Sequence, residues 1–202
     1  MFAVIFEVEP RPEQWDDYLH YAAELRPALE RIDGFLENRR FGSRRREGRL
    51  LSLSYWRDEK SVVRWRSHAG HHAIQHKGRT EVFRDYHLRV GEVTAQNGTT
   101  LLQLRFDETE TGAAKAITVL EEPRADVAPD ASGLTDWDLF DGITVKGTRL
   151  LLLSWRDQAA LAAWSGQPAT QRRDVRVIRD YGMVDRAEAP QFHRMDAPAH
   201  QV

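Results

Sequence analysis

Four histidines fall within nine residues, HAGHHAIQH at positions 68–76, and Trp65 precedes the first of them by three. On a continuous helix His68, His72 and His76 stand at i, i+4 and i+8, so they share a face with Trp65, while His71 lies about 100° round from His72. Imidazoles titrate near neutral pH, so such a face can supply a general base, a hydrogen-bond donor or an axial ligand. His76 and His72 are the candidate catalytic bases, and Trp65 is a stacking wall for a flat molecule. Arg66 and Arg79 flank the face and, with His68, are candidate substrate-binding groups, because a guanidinium fork suits a carboxylate or an enolate. The competing reading is a solvated helix with exposed histidines and arginines. A metal site is disfavoured: three ligands on successive turns spread over roughly 12 Å of helix axis, too far to meet one ion at bonds of about 2 Å. Glu7 is a further candidate base, although strand alternation alone does not say which way it points.

The rest of the composition narrows the chemistry. The 202 residues carry 29 basic and 31 acidic side chains, a formal net charge of -2, which gives no support for a nucleic-acid partner. With no cysteine, disulfides, iron–sulfur clusters, zinc ribbons and a thiol nucleophile are excluded together. There is no Gly-rich phosphate loop, nucleophile elbow or paired-carboxylate motif to support a hydrolase or nucleotide-binding reading. Residues 2–8 are short, apolar and followed by acid and proline, unlike a signal peptide, and no apolar run approaches the roughly 18–20 residues of a membrane span. A soluble cytoplasmic protein without membrane contact is expected.

The elements that must position these residues occur twice. LSLSYWRDEKSVVRW (residues 51–65) matches LLLSWRDQAALAAW (151–164), and FRDY (83–86) matches IRDY (178–181). The offset is 99 residues at Trp56/Trp155 and at Trp65/Trp164 but 95 at Tyr86/Tyr181, so the second copy is four residues shorter between its second Trp and its last strand. The chain openings, residues 2–7 and 101–106, also look alike. Two modules follow, residues 1–95 with the His cluster and a degenerate copy at 99–190, with a tail at 191–202 that begins to loosen from Ala189. In the first, residues 2–9 alternate as a strand. Pro12 opens a helix whose face is Trp15, Tyr18, Leu19, Ala22, Leu25 and Leu29. Gly34 suits its C-terminus. Strands over 35–41 and 49–55 flank a turn at 44–48, whose arginines are expected to face solvent. Asp58 caps a second helix over 59–76, weakened at Gly70, and a strand over 81–93 ends the module. The order β-α-β-β-α-β is the split ferredoxin-like unit. In the second copy a short helix is expected at 112–121 and a loop at 122–135. A sheet with helices on one face needs an apolar partner for the other, so the two modules should pack sheet to sheet as an α+β barrel within one chain, an internal pseudo-dimer that could pair further. Tyr86, Tyr181, Trp56 and Trp155 recur in both copies and are expected to serve the fold.

The first strand, the IDGF turn (32–35), the LLSLSYW strand, the Trp65 helix with its histidines and FRDYHLRVGEV (83–93) together resemble the antibiotic biosynthesis monooxygenase family. That resemblance implies the dimeric α/β-barrel fold and an oxygenase, either cofactor-free or heme-dependent. In the heme-degrading branch a Trp and a His stand about ten residues apart on the second helix, which Trp65 and His76 match, so His76 would be the axial ligand if heme is bound. The Asn which that branch carries on its first strand is absent here, where Phe6, Glu7 and Val8 stand. The function implied is a monooxygenase acting on a small aromatic or polyketide-like substrate, or on heme, with chemistry in the first module because the second lacks the histidines. The alternative is a non-catalytic small-molecule-binding or stress-response barrel.

Overall fold

The computed structural model describes residues 1–190. The expected tail at 191–202 lies outside the described residues. The first module runs β1 (Phe2–Pro10), α1 (Trp15–Glu30), β2 (Phe35–Ser43), β3 (Leu50–Trp56), α2 (Glu59–Arg66), α3 (Ala69–Lys77) and β4 (Phe83–Gln96). After an Asn97–Gly98 turn with positive φ at both residues, β5 (Thr99–Thr100) pairs briefly with the end of β4. The second module runs β6 (Ala116–Glu121), β7 (Leu134–Gly142), β8 (Arg149–Trp155), α4 (Gln158–Ala163) and β9 (Gln171–Gly182).

Each module has the ferredoxin-like strand order, β4-β1-β3-β2 in the first and β9-β6-β8-β7 in the second. The two sheets meet at both edges. β2 pairs with β7 from Phe41↔Gly142 to Ser43↔Phe140, and β4 pairs with β9 from His87↔Gly182 to Gln96↔Arg173, which closes eight antiparallel strands into a barrel. The sheet-to-sheet reading of the duplication is correct, with edge-strand hydrogen bonds completing it and leaving no open edge among the eight.

Strand alternation assigns the faces. Ala3 and Ile5 of β1, Leu51, Leu53 and Tyr55 of β3, Ile117 and Val119 of β6, and Leu150 and Leu152 of β8 fill the barrel in one continuous core. Phe2, Val4, Phe6 and Val8 point the other way, toward the helices of the first module. Leu150–Leu153 is buried on both sides, as its unbroken apolar run implies. Salt links stitch the modules at the barrel ends. Arg39 and Arg173 both hold Glu121, at 2.6 and 2.7 Å. The β2–β3 turn also crosses the seam, with Arg44 and Arg45 exposed as expected and Arg46 partly covered: Arg44 reaches Asp126 at 3.2 Å, Arg46 reaches Asp136 at 2.5 Å, and Arg45 lies over the Trp137 ring at 3.7 Å.

Three sequence expectations change. Residues 112–121 form no helix; Ala116–Glu121 is β6, the first strand of the second module, and its Ile117-Thr118-Val119 core is β-branched. Residues 101–106 are consequently not a strand. Their alternation is real, but the amides of Leu104 and Arg105 donate to the buried Glu92 carboxylate at 2.8 and 3.0 Å instead of joining a ladder. The helix expected at 59–76 is two, broken at Ser67–His68 and not at Gly70. Asp58 caps the first of them as expected, accepting from the Ser61 amide at 2.8 Å, and hydrogen bonding holds its carboxyl at about 2.

Candidate functional site

Between the outer face of the first sheet and α1, α2 and α3 lies a cavity of about 200 Å³. Its walls are mostly apolar: Val4 and Phe6 from β1, Ala22 and Leu25 from α1, and Val90 and Leu88 from β4. Its floor is polar, with Asn38 and Arg40 of β2 beside Ser52 and Ser54 of β3. Register explains the grouping, because Asn38 pairs with Ser54 and Arg40 with Ser52, all on the helix-facing side. The Asn38 amide donates to Ser52 Oγ at 3.0 Å and to the Leu53 carbonyl at 3.2 Å, which orients it across the floor. Ser54 Oγ accepts from the Trp56 indole at 2.9 Å. Arg40 Nε is buried with no hydrogen-bond partner among the described residues.

In the second module the corresponding positions carry bulky apolar side chains, residue by residue. With Trp56 and Trp155 in corresponding places, Ser52 and Ser54 correspond to Leu151 and Leu153, and their β2 partners Arg40 and Asn38 correspond to Leu139 and Trp137. These four large side chains cluster with Leu161 of α4 and with Trp155, whose ring stands 5.2 Å from Trp164. No helix intervenes between β6 and β7, so nothing equivalent to α1 covers that sheet, and its own residues collapse over it.

Trp65 closes the cavity of the first module, but its partner is not the expected histidine face. The break at Ser67–His68 offsets α3 from α2, and His71 stacks on Trp65 with ring centroids 4.2 Å apart and an interplanar angle of 21°. His71 Nδ1 is 3.0 Å from the Trp65 carbonyl oxygen. That oxygen only accepts, so Nδ1 carries the proton and Nε2 carries the lone pair. His68 caps the start of α3 by position and tilts against Trp65 at 5.7 Å. His72 lines an outer cleft of about 390 Å³ together with Arg66 and Arg79, and His76 is exposed and lines neither space. Trp65, Arg66 and His71 therefore come together at the cavity, while His68 meets Trp65 without lining the cavity and His72 and His76 lie elsewhere. The residues present do not fit a heme held by His76. Among the described residues no group of three His, Asp or Glu side chains is placed to hold a metal ion.

Burial, reinforced by the neighbouring His68 and His72, lowers the His71 pKa to about 4, against the opposing hydrogen bond to Trp65. In the unfolded chain an imidazole takes a proton near pH 6.5, and the folded ring refuses it until about pH 4. The unfolded state therefore binds more protons across this window, and stability rises with pH through it. The native state should lose up to about 3 kcal/mol on acidification from pH 6.5 to 4. Thermal melts across that range should show the loss in the parent and a flatter profile in His71→Gln; parallel profiles would mean the ring titrates normally.

Two residues from the second module complete the site. Across the β4–β9 seam, Arg179 pairs with Val90 and Tyr181 with Leu88, so their side chains reach the cavity of the first module. Burial raises the Tyr181 phenol above its ordinary range, while Arg66, Arg179 and Arg186 pull it back. Its repetition in both copies had pointed to the fold alone. No local signal distinguishes it, because its place in the cavity is set by the long-range β4–β9 register.

Glu7, the other candidate base, points into the barrel on the opposite face of β1. It is buried and ion-paired to Arg89, which also donates to Ser154 at 2.9 Å.

Residues 1–77 match the profile of the family described as Antibiotic biosynthesis monooxygenase. Over 222 aligned residues the chain is 42% identical to Jasmonate monooxygenase ABM of Pyricularia oryzae, covering 96% of this chain and 98% of that protein. It is 36% identical over 53 residues to the uncharacterized protein YqjZ of Bacillus subtilis, which is 26% of this chain and 46% of YqjZ. Among solved structures, one described as an antibiotic biosynthesis monooxygenase aligns at a TM-score of 0.42 and 16% identity over 47% of this chain and all of the other. Among the described residues no helix is long and apolar enough to cross a membrane.

Proposed function

Because the chain belongs to the antibiotic biosynthesis monooxygenase family, we propose that it is a monooxygenase whose single reaction chamber is the cavity of its first module. The observation that carries this reading is the asymmetry of the two halves: Asn38, Arg40, Ser52 and Ser54 line an apolar chamber in one, and bulky apolar side chains fill the same place in the other. The substrate is a small, flat carbon acid, an aromatic or polyketide-like molecule with a CH2 activated by a carbonyl or phenol.

Trp65 and the apolar wall hold the ring system, and the polar floor orients its oxygen. His71 Nε2 takes the proton of the carbon acid and later returns it to the peroxide anion, and the guanidinium of Arg66 favours the anion that stands between these steps. The resulting carbanion gives one electron to O2, the radical pair combines into a peroxide, and loss of water leaves a ketone. One oxygen atom stays on carbon and one leaves as water. The substrate supplies all the electrons, so no external reductant is required. The relative's own name makes jasmonate a compound to include in any substrate screen.

An oxygen electrode and product mass after 18O2 exposure test this across anthrones, naphthols and jasmonate. Uptake with one 18O per product is expected, and His71→Gln should lower kcat by on the order of tenfold to a hundredfold. Compounds that bind without oxygen uptake would identify a binding barrel instead.

A further inference from the structure

The chamber opens toward the outer cleft, and Arg66, Gln75, Leu88 and Tyr181 line both. The chamber end is apolar; the cleft end is cationic. Arg66, Arg79 and Arg186 line the cleft, and among the described residues no aspartate or glutamate does. None of these three is ion-paired with a carboxylate among the described residues, although Arg186 donates to the Tyr86 hydroxyl. Arg57, Arg105 and Arg149, by contrast, are held by Asp33, Asp107 and Asp126. Three uncompensated guanidiniums converging beside two tyrosines form an environment short of negative charge. Such a setting favours an anionic ligand.

We propose that this cleft is an anion-recognition vestibule and that the ligand is an amphipathic carboxylic acid, its apolar body in the chamber and its carboxylate among Arg66, Arg79 and Arg186. This inference builds on the location of the reaction chamber given above, and it extends that reading by naming the head group. A planar two-oxygen anion suits guanidinium forks, which bind it through paired N–H donors. The charge also fixes direction: a ligand held by its carboxylate at the mouth enters body first, so the same end of the molecule always reaches Trp65 and His71. Arg186 comes from the second module, so the degenerate half would contribute to substrate selection without a chamber of its own.

The test is binding, independent of turnover. Naphthalene-2-carboxylate and its methyl ester are titrated into the full-length protein by calorimetry, then into Arg79→Gln/Arg186→Gln. The acid should bind at least about tenfold more tightly than the ester, and the double variant should remove most of that preference while leaving the ester unchanged. Added salt should weaken the acid selectively. Equal binding of acid and ester, binding of neither, or a preference that survives in the double variant overturns the proposal. The outcomes separate from those of the oxygenase reading: acid selectivity without oxygen uptake on any substrate keeps the vestibule and removes the reaction, whereas oxygen uptake that is indifferent to esterification does the reverse.

Discussion

Ser52→Leu should empty the chain of activity while leaving it folded. The substitution installs at the chamber floor the residue type that occupies the corresponding place in the second module, Leu151, where it helps fill the space over the sheet. In the first module the added side chain projects into a cavity of about 200 Å³, so it meets open volume and no packed core. Asn38 loses one acceptor but retains the Leu53 carbonyl at 3.2 Å. Turnover should fall by at least about a thousandfold, because a substrate displaced from its near-attack position forfeits most of the advantage of being bound. The melting temperature should stay within a few degrees of the parent, or rise, as apolar surface is covered. Activity that persists at parental levels would place the reaction outside this chamber. Ser54 is the less informative position, since its hydroxyl is the acceptor for the buried Trp56 indole.

The second large effect concerns stability. Arg89→Leu leaves the Glu7 carboxylate inside the barrel without its nearest counter-charge, and the loss should be about 3 kcal/mol or more, read from urea unfolding. Replacing both partners, Glu7→Leu with Arg89→Met, should recover most of it, because the pair's desolvation cost disappears together with its attraction. Arg46 and Arg49 stand 3.9 and 3.6 Å from the other Glu7 oxygen. If Arg89→Leu proves as stable as the parent, those two arginines carry the charge unaided. Neither variant should alter the shape of the reaction chamber, which lies on the opposite face of β1.

How far the residues alone led can be judged from a few positions. The duplication, the strand order within each copy, the Asp58 cap and the doubly buried Leu150–Leu153 run were all visible, because each follows from local periodicity or from a repeat. That the two halves differ around the His cluster was also within reach. Which histidine stacks on Trp65 was not. Helical spacing assigned Trp65 partners on one continuous helix, and a two-residue interruption at Ser67–His68 was enough to stack His71 on Trp65, keep His68 in tilted contact with it, and leave His72 and His76 elsewhere. Nothing in the periodicity marks that break, since Gly70 is the weaker helix former and yet lies inside α3. The shift of the second module's first strand to Ala116–Glu121 was missed for a different reason. LLQLRF alternates as well as any strand, and only the tertiary position of the Glu92 carboxylate draws its amides away from a ladder. Arg179 and Tyr181 reach the chamber through β4–β9 pairing, a long-range register that no local pattern records.

The edge pairings of β2 with β7 and β4 with β9 have an evolutionary corollary. Where two identical chains close such a barrel, every substitution at the seam is inherited by both seams at once, and any change that favours one chamber is imposed on its twin. Here the linkage through residues 97–100 fixes the halves at one-to-one stoichiometry and removes any dependence of assembly on protein concentration. Mutations on either side of the seam are thereby inherited singly. One half was free to trade its first helix and polar floor for a solid apolar plug, and to turn its last strand into a wall for its neighbour, without disabling the chamber that remained.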